Sequence, residues 1–410
     1  MQGKNTAVIC FLISITLLQL MDMLYTLNSW NKGAYFAIIW LGLIVGFVFS
    51  SLILISEFNV ENRYFKLVFT IFILYETFLI VRGWSFSSTD LTTYLRNTII
   101  FWPFLIPFFA FFDKRLSILS LLFKRFFQIG LVFLFLSITF PSLLLYRVSA
   151  ESVINAFVPG CGLLLLTSLY FNNKKVLILF IIVFLATLSV IYLGRRSTSS
   201  VLLEFIAFSY LLNIRTKSPS FVFKWLPLIM ATCVLVILNI PQFSASLTEK
   251  MEDRLLEDTR SDLNQNFLKE MRNYMYLGKG LNGTYYYPMT FNDFEDEKDA
   301  GVNFVDDVYR NNAENGYLQL LLSGGLLHII LYVMILLPAA LLGIFKSSNH
   351  LSKACGSLVF LQLINMFVVS MPSLSILYIL IWIAVGICYK NSIRNLSDLE
   401  IKSALAKATL

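Results

Sequence analysis

Long apolar stretches, separated by short charged clusters, run through most of the chain. They are roughly 16 to 25 residues long, which is enough to cross the ~30 Å hydrocarbon core of a membrane as α-helices. Helices suit this role because each backbone polar group is satisfied within its own segment. The pattern therefore predicts an all-α polytopic membrane protein with about 12 transmembrane helices. The predicted spans are 7–27, 34–56, 67–81, 97–112, 126–146, 156–171, 176–194, 199–212, 221–240, 317–345, 354–371 and 374–389.

The composition supports this interpretation. The chain is 57% apolar and 14% charged, with a mean hydropathy of +0.73, whereas a soluble domain carries about 25% charged residues. All five cysteines lie in apolar stretches and read as small core residues. With only two histidines, His328 and His350, a histidine-rich metal centre is excluded, and we predict neither a metal nor another cofactor.

Basic residues indicate how the chain crosses the membrane. If the N-terminus is cytoplasmic, most of the basic residues outside the long loop fall in cytoplasmic segments, whereas the short outer loops hold only Lys32, Arg82, Arg96, Arg147, Arg195 and Arg196. This asymmetry follows the positive-inside rule and predicts that both termini are cytoplasmic. The first apolar stretch lacks a small-residue cleavage site, so we interpret it as a retained helix and not a signal peptide.

The long segment 241–316 differs from the rest of the chain. It holds 15 acidic and 8 basic residues, a net charge of −7, against +7 for the whole chain. The remaining basic excess mostly sets membrane orientation and does not indicate nucleic acid. We predict four regions: transmembrane helices 1–9 in 1–240, an extracytoplasmic loop in 241–316, helices 10–12 in 317–390, and a cytoplasmic tail in 391–410. The loop contains clusters of tyrosines and is too apolar for a disordered acidic linker, and loops of this length are usually functional.

A Gly194-Arg195-Arg196-Ser197 turn joins predicted spans 7 and 8. Two guanidinium groups beside a helix N-terminus are suited to bind phosphate or pyrophosphate, through bidentate donors and a favourable dipole. The alternative is that these arginines anchor the helix to lipid headgroups.

The segment from Arg310 to Gly325 leads from the loop into span 10. Glu314 and Asn315 would lie at the membrane surface, where Glu314 could act as a general base for a hydroxyl nucleophile. The alternative is an acid that caps a helix start and interacts favourably with its dipole.

A third segment, Arg272 to Tyr287, combines glycines, tyrosines and Lys279. Its aromatic faces would suit sugar rings, and a structural turn is an equally open interpretation. Its Gly-Lys-Gly spacing does not match a phosphate-binding P-loop.

Three acids, Asp22, Glu76 and Glu204, lie inside apolar stretches. Intramembrane acids mark functional sites by default, and a buried structural ion pair is the alternative. His328 reads as a packed helix residue.

The chain resembles the superfamily of O-antigen polymerases and ligases. The resemblance rests on the arrangement of spans around one large outer loop and on three short motifs: Gly194-Arg195-Arg196-Ser197, Leu277-Gly278-Lys279-Gly280, and Asn315-Gly316-Tyr317-Leu318-Gln319 followed by Gly325. Ligases carry a histidine before the asparagine of the last motif, where this chain has Glu314. The resemblance therefore favours a polymerase of the Wzy type over a ligase. Ser200 also departs from the family's arginine-x-x-x-leucine pattern.

This resemblance implies a GT-C-like helix bundle with a partly helical outer loop, in the bacterial cytoplasmic membrane. It implies a metal-independent glycosyltransferase that polymerises undecaprenyl-pyrophosphate-linked oligosaccharide repeat units into O-antigen or capsular polysaccharide on the outer face of that membrane. The implied partners are this lipid-linked glycan, the bilayer and a polysaccharide chain-length regulator. The implied catalytic residues are Glu314 and Arg196, and the implied pyrophosphate- and sugar-binding residues are Arg195, Arg196, Arg272, Lys279, Arg310, Asn315 and Tyr317.

Other functions stay open at this point. A lipid-linked oligosaccharide flippase fits the number of spans, but the 76-residue loop from 241 to 316 and the lack of two similar halves argue against it. Within the superfamily, an O-antigen ligase or a peptidoglycan polymerase of the shape, elongation and division type are the alternatives.

Overall fold

The computed structural model describes residues 2–27, 34–55, 61–86, 105–193, 195–214, 222–224, 267–281, 283–286, 309–310, 313, 315–369 and 374–407. The helices in these segments are α1 Gln2–Leu27, α2 Ala34–Leu54, α3 Arg63–Phe86, α4 Leu116–Thr139, α5 Arg147–Leu166, α6 Asn173–Tyr192, α7 Arg196–Ile214, α8 Gly316–Phe345, α9 His350–Asn365, α10 Ile376–Tyr389, α11 Asn391–Arg394 and α12 Asp398–Lys407. Short 3-10 helices cover Ile106–Phe111, Pro141–Leu144, Ser168–Tyr170 and Arg272–Tyr274. A small antiparallel sheet pairs β1 (Tyr285–Tyr286) with β2 (Tyr309–Arg310).

The described part of the chain has the architecture of an all-α membrane protein. Seven of its helices are long and apolar enough to cross a membrane: Gly3–Leu20, Arg63–Trp84, Leu116–Thr139, Ser149–Leu166, Asn173–Tyr192, Ser197–Ile214 and Gly316–Phe345. Ile39–Leu54 and Ile376–Tyr389 are shorter apolar helices. Ten of the predicted spans coincide with described helices. Half of the predicted span 97–112 and most of the span 221–240 lie outside the described residues, so the count of twelve and the layout of the long loop stay predictions.

Two helix starts differ clearly from the predicted spans. Helix α4 begins at Leu116 and α5 at Arg147, well before the predicted positions 126 and 156. Lys124, Arg125 and Glu151 lie in these early turns. Charged residues are compatible with a helix but not with lipid, so hydropathy marks where the apolar part of a helix begins and not where the helix itself begins.

Helices α5 and α10 form the centre of the bundle. Helix α5 packs against α1, α4, α6, α7 and α10, and α10 also packs against α8, α9 and the 3-10 helix Ile106–Phe111. Every residue of α10 except Leu377 is buried, as expected for a helix that is apolar on all faces. Trp382 of α10 contacts the aromatic rings of Phe69, Phe72 and Tyr332.

The two ends of the chain lie at the same end of the helix bundle. The Lys4 ammonium is 2.5 Å from a carboxylate oxygen of Asp113, and the Arg115 guanidinium is 2.7 Å from the same oxygen. The Ser120 hydroxyl, near the start of α4, donates to the carbonyl of Leu405 in α12 at 2.9 Å. We call this end of the bundle the terminal end.

Further hydrogen bonds assign other helices to the terminal end. They join Tyr170 to Asp398 at 2.6 Å, Ser392 to Glu61 at 3.0 Å, Asn213 to Ser168 at 2.8 Å and Arg394 to the Lys346 carbonyl at 3.0 Å. The end of α8, the start of α3 and the ends of α5 and α7 therefore lie there. The other ends of these four helices point to the opposite side of the bundle, which we call the loop end.

Candidate functional site

The glycine-rich segment Leu277–Gly280 packs into a break in helix α8 at the loop end. The break is at Gly325, whose φ of +65° and ψ of −163° are not helical. The Lys279 and Gly280 amides donate to the carbonyls of Leu322 at 2.8 Å and Ser323 at 2.7 Å, and the Leu326 amide donates to Met275 at 2.8 Å. A break in an apolar helix leaves backbone groups without partners. The loop supplies those partners.

Glycine is required at these positions by the closeness of the backbones. A Cβ on Gly325 would lie 2.3 Å from the carbonyl carbon of Tyr276, and a Cβ on Gly280 would lie 2.1 Å from the amide nitrogen of Gly83. Gly280 also has a φ of +92°, in the left-handed region that disfavours other residues. The sequence identified this segment as a motif, and its described role is this close contact with α3 and α8.

Arg82, at the end of α3, holds the same loop from its other side. Its Nε donates to the carbonyl of Gly278 at 2.8 Å, and the Leu281 amide donates to the carbonyl of Leu79 at 3.3 Å. From the sequence alone, Arg82 is only one of the basic residues of the short outer loops. The structure places it among the residues that build the site.

A chain of buried polar groups lies directly below the break. Nε2 of His328 is 2.7 Å from Oε1 of Glu76, and Nδ1 is 3.0 Å from the hydroxyl of Ser323. The Tyr75 hydroxyl donates to the Gly324 carbonyl at 2.6 Å. Glu76 is thus paired with His328 inside the bundle. A buried structural pair is the alternative to a functional acid that the sequence left open.

The order serine, histidine, carboxylate is that of a hydrolase triad. Here Ser323, His328 and Glu76 are 4%, 1% and 4% exposed, and the serine hydroxyl also contacts the Gln319 carbonyl at 3.0 Å. A nucleophile has to be reached by its substrate. We therefore interpret the hydrogen-bonded series of Ser323, His328 and Glu76 as structural support for the broken helix α8.

Lys279, a predicted substrate contact, has its ammonium group bound within the loop. Its Nζ is 2.5 Å from a carboxylate oxygen of Glu270 and 2.7 Å from the Thr284 carbonyl. It also lies 5.2 Å from the ring centroid of Tyr274. The other Glu270 oxygen accepts from the Tyr286 amide at 2.6 Å. Lys279 therefore binds Glu270 and Thr284, and Glu270 in turn binds β1.

Arg195 lies at the loop end, immediately before α7, and is paired with Glu151 of α5. Their closest atoms are 2.9 Å apart, and their side chains are 29% and 30% exposed. The early start of α5 puts Glu151 on a helix that faces this arginine. Glu151 was not among the predicted residues, although it is the one acid in a short outer segment, 147–155, that is otherwise basic or neutral.

The structure describes the remaining predicted residues to different extents. Arg196 begins α7, and Arg310 lies in β2 opposite Tyr285, but their side chains are not among the described atoms. Glu314 lies outside the described residues. Arg272 is exposed on the 3-10 helix of the loop.

Asn315 and Tyr317 determine how α8 begins. The Asn315 side-chain oxygen accepts from the Leu318 amide at 2.8 Å, as an N-cap. The Tyr317 hydroxyl donates to the Leu363 carbonyl at 2.8 Å, and its ring centroid is 4.6 Å from that of Phe367. In this motif, the residue that caps the start of α8 is thus Asn315.

Glu204, two turns into α7, lines a space of about 10 Å³ with Gln362 and Asn365 of α9. Both amide side chains are buried. No basic residue is among the described residues that line this space, so the contacts described there are amides in place of the basic partner that the sequence suggested.

Those predicted residues that the structure describes thus fall into two groups. The glycine-rich loop, with Lys279, meets the helix that Asn315 caps, and Arg195 is held on α5 through Glu151. Both groups lie at the loop end. Within the described segments, no group of three potential metal ligands is found. Comparisons with models of protein families, with curated proteins and with solved structures found no match.

Proposed function

We propose that this protein is a polysaccharide polymerase of the membrane. It would transfer a growing glycan from undecaprenyl pyrophosphate to the end of a new lipid-linked repeat unit. The supporting observation is the position of Arg195, Arg82 and the glycine-rich loop, which lie at one end of the bundle although Arg82 and Gly278 of the loop are 196 positions apart in the chain.

The chemistry requires positive charge at this end. The bond that breaks joins a sugar to pyrophosphate, so the leaving group gains negative charge in the transition state. Guanidinium groups that are already in position can stabilise this charge without reorganising. Arg195 and Arg196 are the residues that we propose for this role, with Glu314 as the base that takes the proton of the acceptor hydroxyl.

The Arg195–Glu151 ion pair fits this proposal. A guanidinium group carries five N–H donors in a planar fork, and one carboxylate uses only part of them. Glu151 would hold the guanidinium group in one orientation at the loop end. The Arg195 side chain is 29% exposed, so part of it can be reached from outside the bundle.

The test is the glycan made by cells whose own gene is replaced by variants. Arg195→Ala should abolish long polysaccharide while single repeat units accumulate, because loss of one donor to a developing anion costs about 10²–10³ in rate. Arg195→Lys should recover only part, because an ammonium lacks the bidentate fork. Arg63→Ala, an exposed arginine at the terminal end, is the matched control and should give normal chains.

A normal ladder of chain lengths from Arg195→Ala, at wild-type protein level, would refute the proposal. Two assays with purified protein distinguish the alternatives. Movement of labelled lipid-linked sugar across liposomes without lengthening would indicate a flippase. Transfer only when a second type of acceptor is supplied would indicate a ligase.

A further inference from the structure

A groove between α4 and α6 lies at the terminal end, far from the site above. It encloses a cavity of about 230 Å³. Its lining includes Phe123, Lys124, Phe127, Leu131, Lys175 and Leu405.

Two lysines form the polar rim of this groove. Lys124 is on α4 and Lys175 is at the start of α6, and the Lys175 ammonium lies 5.8 Å from the ring centroid of Phe127, less than one turn after Lys124. Both side chains are partly exposed. Among the described residues that line the groove, none is acidic. The rim therefore presents two positive charges towards one opening.

The interior of the groove is apolar. The groove lining includes Phe123, Leu164 and Leu179, which are buried, and Leu131, which is 39% exposed. Enclosed small-molecule sites usually measure about 300–1,000 Å³. This cavity is smaller, so it can hold part of a chain molecule whose remainder lies along the outer surface of the bundle.

We propose that the groove binds an anionic phospholipid. The headgroup phosphate would lie between Lys124 and Lys175, and one acyl chain would pass over Phe127 and Leu131 into the bilayer. Basic pockets between membrane helices are a recognised site for anionic headgroups. This binding does not depend on the proposed function at the loop end.

The lipid would also stabilise the end of the chain. Leu405 of α12 lines the groove, and α12 is held on α4 by the bond from Ser120 to Leu405. A lipid in the groove would contact both helices. Occupancy should therefore protect the amides of residues 398–407 from hydrogen exchange.

The experiment titrates the purified full-length protein, in a neutral detergent, with phosphatidylglycerol and separately with phosphatidylcholine. Native mass spectrometry counts the lipid that stays bound. Each lysine near an anionic headgroup is worth roughly fivefold in affinity, so Lys124→Gln with Lys175→Gln should bind phosphatidylglycerol about thirty-fold more weakly. Leu131→Trp, which narrows the apolar groove, should reduce binding of both lipids.

The matched control replaces Lys66 and Lys402 with glutamine, two exposed lysines at the terminal end that do not line the groove. It should bind as the wild type does. Equal retention of phosphatidylglycerol by the wild type and the Lys124/Lys175 variant would overturn the proposal. Equal affinity of the wild type for the two lipids would also overturn it. The same holds if lipid binding is unchanged both in the Lys124/Lys175 variant and in Leu131→Trp.

Discussion

Replacing Gly325 with alanine should release the glycine-rich loop from helix α8. The added Cβ would lie 2.3 Å from the carbonyl carbon of Tyr276, 2.4 Å from its oxygen and 2.5 Å from the amide nitrogen of Leu277. All three are backbone atoms, so the clash cannot be relieved by turning a side chain. The φ of +65° and ψ of −163° at Gly325 add backbone strain.

The size of the effect follows from these two terms. A side chain in this backbone conformation costs about 1–3 kcal/mol, and overpacking a tight contact costs about 1–3 kcal/mol more. The free energy of opening the loop should therefore fall by at least about 2 kcal/mol, because the two costs add. This corresponds to an opening that is about thirty-fold more frequent.

Hydrogen exchange measures this opening directly. The Lys279 and Gly280 amides donate to carbonyls of α8, and they exchange only when the loop separates from the helix. Their exchange in Gly325→Ala should be at least about thirty-fold faster than in the wild type. Gly42→Ala is the control, because nothing lies within 4 Å of its Cβ position. Unchanged exchange at residues 279 and 280, in a Gly325→Ala protein that elutes as the wild type does, would refute the reasoning.

Three further outcomes follow from other contacts. Glu76→Ala removes the carboxylate that is 2.7 Å from buried His328, and leaving a buried polar group without its partner costs about 1–3 kcal/mol. The midpoint of thermal unfolding in detergent should therefore fall, and His328→Leu in the same chain should restore part of it. Burial would raise the pKa of Asp113, but hydrogen bonds from Arg115 and Lys4 outweigh it and lower the pKa from 3.8 to about 2. These ion pairs therefore stabilise the fold above about pH 4, and their contribution is lost as the pH falls towards 2. Asp113→Asn should flatten the dependence of the thermal midpoint on pH in this window. Tyr170→Phe removes the 2.6 Å hydrogen bond to Asp398, worth about 1–3 kcal/mol, so limited proteolysis should cut the last twenty residues sooner; equal cutting would contradict this.

Hydropathy located the helices because lipid imposes a simple requirement on them. A helix such as α8 has to be apolar over its whole span, and this is visible in any window of the sequence. The early start of α5 was not visible, because Arg147 and Glu151 are polar but helix-compatible.

The partners of the charged residues could not be predicted in this way. Glu76 and His328 are 252 positions apart, and no local pattern relates them. The pairing of Arg195 with Glu151 also depends on how α5 and α7 pack. The sequence identified Leu277–Gly280 as a motif, but its described contact with a broken helix depends on Gly325, which lies about forty-five residues further along the chain.

The distance between Glu76 and His328 has a consequence for how the protein is made. Helix α3 packs chiefly against α8, and the 252 residues that separate the paired side chains take about 13–50 s to synthesise at 5–20 residues per second. During that time the newly inserted α3 carries a carboxyl group in the bilayer, at a cost of about 2.5–3.5 kcal/mol for an unpartnered acid. A temporary neighbour for α3, either an earlier helix or the insertion machinery, would lower this cost until α8 emerges from the ribosome.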